Sequence, residues 1–368
     1  MNRTEPIFRL AACIVTLLLI LTARPLSADS VNSVERLVTR LSDGVWEIRH
    51  KDAPDGFPQG NTTVIIGERE VLVVDSCYMP SSAREDIAQI RQWTSKPVRY
   101  LVNTHWHYDH TMGNGVYAAE FPGLEIIAQS ETRKHIQGYN PGWFERYPKR
   151  TTDFRKELQS GKDEAGKAIT AERRKDLTET IPQRELVQVE FHALVDQTPN
   201  IGFDEKLTID LGNREVQIMY LGKGNTTGDA VIYLPSEKIL MAGDLLDHPV
   251  PYLGGGYPVE LIGTLEKMAV MDIETIVPGH GEVLHGKDYI HQVSSLLKTV
   301  VAAVSLEIYR IGNGSRHLDE VQAAVAGDVD MAALRQQFAG SDKDNGEFFD
   351  GFSMKGLITA AYAELWGR

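Results

Sequence analysis

The chain has 368 residues, long enough to bury a large core, and carries a net charge of −13 with 42% hydrophobic residues. That acidic balance excludes a protein that binds nucleic-acid backbones or anionic membrane surfaces. Two cysteines, Cys13 and Cys77, are too few for a disulfide framework.

Residues Met1 to about Ala28 read as a secretory signal peptide, with Arg3 and Arg9, the apolar run Leu10–Leu21, and a small-residue cut at Leu26-Ser27-Ala28. The apolar run is short for a membrane span. Leu10-Ala11-Ala12-Cys13 mimics a lipoprotein box, but the apolar core follows Cys13 instead of preceding it; an uncleaved anchor is the competing reading. Cleavage removes three arginines and one glutamate, takes the net charge to −15, and leaves Cys77 alone. The expectation is a periplasmic or secreted protein with no stable membrane anchor, no internal disulfide, and Cys77 as a buried core thiol.

Val45–Ile48 is the first expected strand. Thr63–Ile66 and Val71–Asp75 form a hairpin about Gly67-Glu68-Arg69-Glu70, followed by a helix over roughly Ala83–Trp93. The strand Val98–Asn103 then runs into His105-Trp106-His107-Tyr108-Asp109-His110. After a charged stretch from about Glu131 to Pro199, strands Lys206–Leu211 and Glu215–Leu221 return. A second hairpin, Ala230–Leu234 and Ile239–Asp244, precedes a helix over Leu261–Met271 and the strand Thr275–Val277, which runs into Pro278-Gly279-His280. In both halves a hairpin ends in Asp, a helix intervenes, and a strand ends in His. That order predicts two similar halves bringing Asp75, His105, Asp244 and His280 to one end. The charged stretch opens on the aromatic run Tyr139–Tyr147 and continues as helices over Thr152–Ser160 and Thr170–Val195; it reads as a solvated insert that packs its aromatics and can serve as a lid. From Lys287 the chain turns helical to Trp366, with Ile290–Ile311 read as core-packed because Lys298 and Glu307 interrupt it.

The His105–His110 segment holds four groups that can bind a transition metal within six residues, at the carboxyl end of a strand. His105 and His107, two apart, point to one side of extended chain, while Asp109 and His110 follow where it bends and can face a second point. The pattern H-x-H-x-D-H resembles the signature of the metallo-β-lactamase superfamily, over roughly Val45–Leu284. The resemblance implies an α/β fold, a four-layer αβ/βα sandwich with the site on the edge shared by two sheets. Here it would span residues 29–286, carry an insert at about 131–200, and be followed by a C-terminal helical region, 287–368. It also implies that Asp244 in Ala242-Gly243-Asp244 bridges two metals, that His280 is the late ligand, and that Asp75 orients a ligand from behind. Gly222–Asp229 fits the family's G-x-G-H-T-x-G-D segment except that Asn225 stands where His is expected. No other His lies between His192 and His248. Site one would then hold His105, His107 and Asn225, and site two Asp109, His110 and His280. Carboxamide oxygen is a poorer zinc ligand than imidazole, so site one is expected to be weak or empty of Asn225, which would otherwise donate to an oxyanion or start the turn into Thr226-Thr227-Gly228. Of the other histidines, His135, His192, His248, His285 and His291 read as surface or ordinary structural residues, with His248, four after Asp244, able to reach the pocket.

The implied chemistry is hydrolysis of a small-molecule substrate with zinc, one or two ions, or with manganese or iron. Metal lowers the pKa of bound water to about 7, hydroxide attacks a lactam, lactone or other ester carbonyl, and Asp109 orients it and carries the proton. Alternatives are a metal-binding protein without turnover, a phosphoester or sulfoester hydrolase, and iron-dependent oxygen chemistry.

Overall fold

The computed structural model describes residues 36–192, 194–195, 197–312 and 318–367. The expected signal peptide lies outside the described residues. The first sheet has seven strands that neighbour one another in chain order: β1 (Leu37–Ser42), β2 (Val45–Arg49), β3 (Thr62–Ile66), β4 (Val71–Val74), β5 (Val98–Val102), β6 (Glu125–Gln129) and β7 (Ile201–Phe203). The second has six: β8 (Lys206–Asp210), β9 (Glu215–Tyr220), β10 (Ala230–Leu234), β11 (Ile239–Gly243), β12 (Thr275–Pro278) and β13 (Leu284–His285), again neighbouring in order.

Because side chains alternate along a strand, each sheet buries two apolar faces. Ile65, Leu72, Val74, Val102 and Ile127 meet Ile232, Leu234, Ile239, Met241 and Val277 in a core between the sheets. The alternate residues Val64, Val71, Val73, Leu101 and Ile126 pack outward with Ile87 and Ile90 of α1 (Pro80–Trp93) and Tyr117 of α3 (Asn114–Glu120), the helix after the one-turn α2 (Tyr108–Thr111). On the far side Val231, Leu240, Ala242 and Ile276 pack with α6 (Pro258–Ala269) and α7 (Asp288–Ile311). The result is the four-layer αβ/βα sandwich. The helices α8 (Leu318–Asp328), α9 (Met331–Ala339) and α11 (Lys355–Trp366), and the π-helical turn Phe349–Met354 that follows α10 (Lys343–Phe348), contribute Val325, Phe338, Leu357 and Phe349 to that same outer cluster, so the C-terminal region is part of the second sheet's cover.

The repeated order is real in three dimensions. β3 and β4 pair antiparallel, and β4 pairs parallel with β5 across α1; β10 and β11 pair antiparallel, and β11 pairs parallel with β12 across α6. A parallel pair joined by a helix ends both strands at one edge. Asp75, the His105–His110 segment, Asp244 and His280 therefore all leave the sheets at the same edge.

The sequence does not distinguish strands β1, β6, β7 and β13; β7 and β13 have only three and two residues, and the six-residue β1 is largely exposed. The insert's first helix begins earlier than the expected Thr152–Ser160 and takes in the aromatic run. That run lies inside one helix, α4 (Ser130–Ser160), capped by Gln129 accepting from Glu131 N and ended by Gly161 at φ +67°. Together with α5 (Ala171–His192) it forms the insert's helical pair. Trp143, Tyr147 and Phe191 pack against Tyr78, Met79 and Met112, which ties the insert's base to the metal-loop side of the sandwich.

Candidate metal centre

Three strand ends deliver the side chains. Past β5 the chain runs extended through His105 and His107, then turns into α2, which presents Asp109 and His110. Gly243 at φ +53° turns β11 so that Asp244 points back over the edge. Gly279 leaves room for it, since a Cβ there would stand 2.0 Å from Asp244 Oδ1. His105, His110, Asp109, Asp244 and Asn225 are buried, while His107 and His280 are half-buried.

Two ligand clusters result, Asp109–His110–Asp244–His280 and His105–His107–Asp244. In the first, His110 Nε2 is 3.2 Å from His280 Nε2 and 3.0 Å from Asp244 Oδ1, and His280 Nε2 is 3.0 Å from Asp109 Oδ2. In the second, His105 Nε2 is 3.0 Å from His107 Nδ1 and 3.2 Å from Asp244 Oδ2. Bonds of ~2.0–2.1 Å to a tetrahedral zinc set ligand-to-ligand edges near 3.3 Å, so both clusters have the dimensions of a metal site. Asp244 gives Oδ1 to one cluster and Oδ2 to the other.

The donor chemistry fits a cation. His110 Nδ1–H donates to Asp75 Oδ2 at 2.8 Å, which leaves its Nε2 as a lone pair aimed at Asp244 Oδ1. That buried oxygen has no hydrogen-bond donor. Two facing lone pairs in a dry site need a proton or a metal between them. The electrostatics say the same. Burial opposes charge on His110, but the carboxylates of Asp244, Asp109 and Asp75 outweigh it and push the imidazole well above its ordinary value. The same contest, burial against Asp244 and Asp109, lifts His280 to about 9. Reciprocally, burial would raise Asp109, but His110 and His280 pull it down to about 2, and Asp244 is held well below its usual range by His110, His105 and His280 against its burial. Nearby Asp247 goes the other way: burial and then Asp244 push its carboxyl well up.

Asp75 does more than the sequence suggested. Its Oδ1 accepts from Thr104 N and its Oδ2 from Thr104 Oγ1, both at 2.8 Å. Since that hydroxyl is spent on Asp75, the 3.0 Å contact between Thr104 Oγ1 and His105 Nδ1 is made by the ring N–H. Asp75 thus fixes the tautomer of His110 directly and of His105 through Thr104, a residue missed from sequence although a hydroxyl directly precedes the motif. Asn225 stands at the third corner of site one, its Nδ2 3.3 Å from His107 Nδ1 and 3.2 Å from Asp244 Oδ2. It does not hold the turn. Asp229 does, accepting from Thr226 N and Oγ1 at 2.8 and 2.9 Å, which leaves the Asn225 amide facing the centre.

A third group of ligand type, His50–Cys77–Asp86, lies buried behind α2. Arg36 Nη2 already donates to Asp86 Oδ1 at 2.9 Å, so a cation already neutralises the one carboxylate of the group, and burial keeps the Cys77 thiol protonated. Cys77 is a core thiol as expected, with burial pushing its pKa well up. His248 joins the site only through its backbone, N–H to His280 O at 3.1 Å, while its ring packs edge-on against Tyr289. His135 stacks on Trp106, and His192, His285 and His291 are exposed. Beside the metal loop a cleft of ≈ 880 Å³ opens between Phe57, Tyr78 and Tyr108 on one side and the insert's Trp143, Arg150 and Phe154 on the other.

The sequence profile of the metallo-beta-lactamase superfamily matches residues 55–280. A linear primary-alkylsulfatase from a Pseudomonas species is 23% identical over 265 residues, 68% of this chain and 47% of that protein. A type 2 metallo-beta-lactamase of Bacteroides fragilis is 29% identical over 113 residues, 29% of this chain and 45% of that one. The chain thus spans about half the length of these relatives. Among solved structures, a metallo-beta-lactamase from Pontibacter korlensis superposes with TM-score 0.52 at 17% identity, covering 72% of this chain and 99% of that one, which speaks for the fold.

Proposed function

The chain belongs to the metallo-beta-lactamase superfamily, and from that premise we propose that it is a metal-dependent hydrolase acting on a carbonyl-type bond in a lactam, lactone or other ester. The observation that carries the reading is Asp244, which divides its two oxygens between two ligand clusters and leaves one of them without a donor. A divalent ion held there supplies Lewis acidity and a water acidic enough to be a nucleophile near neutral pH. We assign the tight position to Asp109, His110 and His280, with zinc, and a weaker one to His105, His107 and Asn225, where the harder amide oxygen suits manganese or iron better.

The protein's own groups do the rest. Asp109, held in the ionised form by His110 and His280, accepts the nucleophile's proton on its carboxylate and returns it to the leaving group. Asn225 offers either its carbonyl oxygen to the site or its NH2 to an oxyanion, according to how the amide is turned. The cleft beside Tyr108 takes the part of the substrate that does not react, with the insert as its outer wall. We further propose, from residues 1–28, that the protein works outside the cytoplasm.

A second reading, a sulfoester hydrolase, is favoured by the alkylsulfatase, whose similarity covers 68% of this chain. A panel of esters, lactones, β-lactams and alkyl sulfates, assayed with metal, after chelation and after metal is returned, separates the readings. Chelator-sensitive turnover of a carbonyl substrate is expected. Turnover of sulfates alone transfers the centre to the second reading, and a metal-loaded protein inert to the whole panel refutes both.

A further inference from the structure

We propose that His50 is a positioning residue that, through the strap Gln59-Gly60-Asn61, sets the Asp109–His110–His280 half of the centre and not the other half. The proposal rests on the metal-binding reading of that centre and adds a residue 55 positions before the first ligand.

The strap is buried and touches each ligand of that half. Gly60 N–H donates to Asp109 O at 3.0 Å. The Gly60 Cα lies so near the His110 ring that a Cβ would stand 2.4 Å from Cε1. Asn61 N–H donates to Gly279 O at 2.7 Å, and its Nδ2 donates to Pro278 O at 3.1 Å and Gly281 O at 3.0 Å, the carbonyls flanking His280. Both partners are acceptors, so the amide orientation is settled. One short segment thereby joins α2 on the first sheet to the β12 end on the second. None of these bonds reaches His105, His107 or Asn225 among the described residues.

What fixes the strap is His50 at the end of β2. A carbonyl can only accept, so His50 Nδ1–H donates to Gly60 O at 2.8 Å. Its Nε2 is 2.8 Å from Asp86 Oδ2, with one proton between them, and Arg36 Nη2 donates to Asp86 Oδ1. His50 and Asp86 are 1% and 0% exposed, so this chain has no water to compete with it. Gln59 adds a second anchor, accepting from Met79 N at 2.8 Å and donating to Ser82 Oγ at 3.0 Å. A metal tolerates misplaced ligands by only ~0.2 Å. Losing the His50 anchor leaves Gly60 O without its donor and removes the hold on the segment that carries the Asp109 backbone contact and the wall behind His110.

The test uses two variants that differ in where they keep a donor. Asn places its Nδ2 where His Nδ1 lies, so His50→Asn keeps the bond to Gly60. Gln reaches the Nε2 position, so His50→Gln keeps the Asp86 side and loses Gly60. Zinc alone is titrated into metal-free full-length protein against a chromophoric chelator, with thermal melting as the fold check. The tight event is the one that His280→Ala removes. His50→Gln and, independently, Asn61→Ala are expected to weaken the tight event by about 10- to 100-fold, as orienting partners of metal ligands do. The weak event should stay within about twofold, and His50→Asn should stay within about fivefold of the natural protein. An unchanged tight event in folded His50→Gln and Asn61→Ala overturns the proposal. So does an equal loss of both events, which would make His50 a general stabiliser. If His50→Gln does not fold, Asn61→Ala decides by the same readings. Natural protein that binds no zinc refutes the centre itself, a different failure.

Discussion

Replacing Asp75 with Asn tests the orienting logic of the whole centre, because three donors converge on one carboxylate: Thr104 N, Thr104 Oγ1 and His110 Nδ1. An amide has one oxygen and one NH2, so it can be placed in two ways. With NH2 toward Thr104 N, one buried backbone N–H is left facing another donor, but both histidine tautomers survive. With NH2 toward His110 Nδ1, that ring becomes the acceptor, the Thr104 hydroxyl can turn to donate to His105 Nδ1, and no polar group is orphaned. Both Nε2 atoms then carry protons into the metal positions. The metal-free variant takes the second arrangement, and metal must force the first. The cost is one unsatisfied buried N–H, ~1–3 kcal/mol, or roughly a 5- to 150-fold loss of affinity. Both binding events should fall, since Asp75 serves both histidines. Competition titration of Asp75→Asn reads this directly. Unchanged affinity would refute the tautomer argument, and loss confined to the tight event would refute the relay through Thr104.

Asn225→His should convert the weak position into one that binds zinc about as tightly as the other, seen as two comparable events in the same titration; an unchanged weak event would remove Asn225 from site one. In the metal-free protein His280 is raised to about 9 and so stabilises the fold fully below its unfolded value near 6.5. That contribution is lost as pH climbs through 9, whereas Asp109, lowered to about 2, loses its contribution only below about pH 4. Melting temperature without metal should therefore fall between pH 6.5 and 9, and a flat profile there would show that His280 is not paired with carboxylates. Removing residues 151–180 should change which esters are preferred while the tight metal stays bound, because the insert walls the cleft and its base at Trp143 and Phe191 is retained. Loss of metal would make the insert structural. N-terminal sequencing of protein recovered from outside the cytoplasm should begin near Asp29, and an intact Met1 in soluble cytosolic protein would end the export proposal.

The sequence alone placed the candidate ligands whose positions are local. Six residues after one strand, and single residues after two others, are legible because a strand end has one direction and a parallel crossover returns the chain to the same edge. The two hairpins that end in Asp make two similar halves legible, because their strands are largely apolar on both faces, whereas the four-layer sandwich was implied by the resemblance to the superfamily. Short strands such as β7 were not legible, since three residues carry no period. The length of α4 was also hidden, because its aromatic opening shows no helical period of its own and is buried only where Tyr78 and Met112 meet it. Beyond Asp75, the sequence could not show which groups orient the candidate ligands. Thr104 is ordinary by itself, and His50, Gly60 and Asn61 matter only because β2, α1 and the β12 end meet at one buried point. Hydrogen bonds between residues 36 and 217 positions apart leave no spacing to read. The donor set is written in local order, whereas its rigidity comes from where the two sheets close on each other.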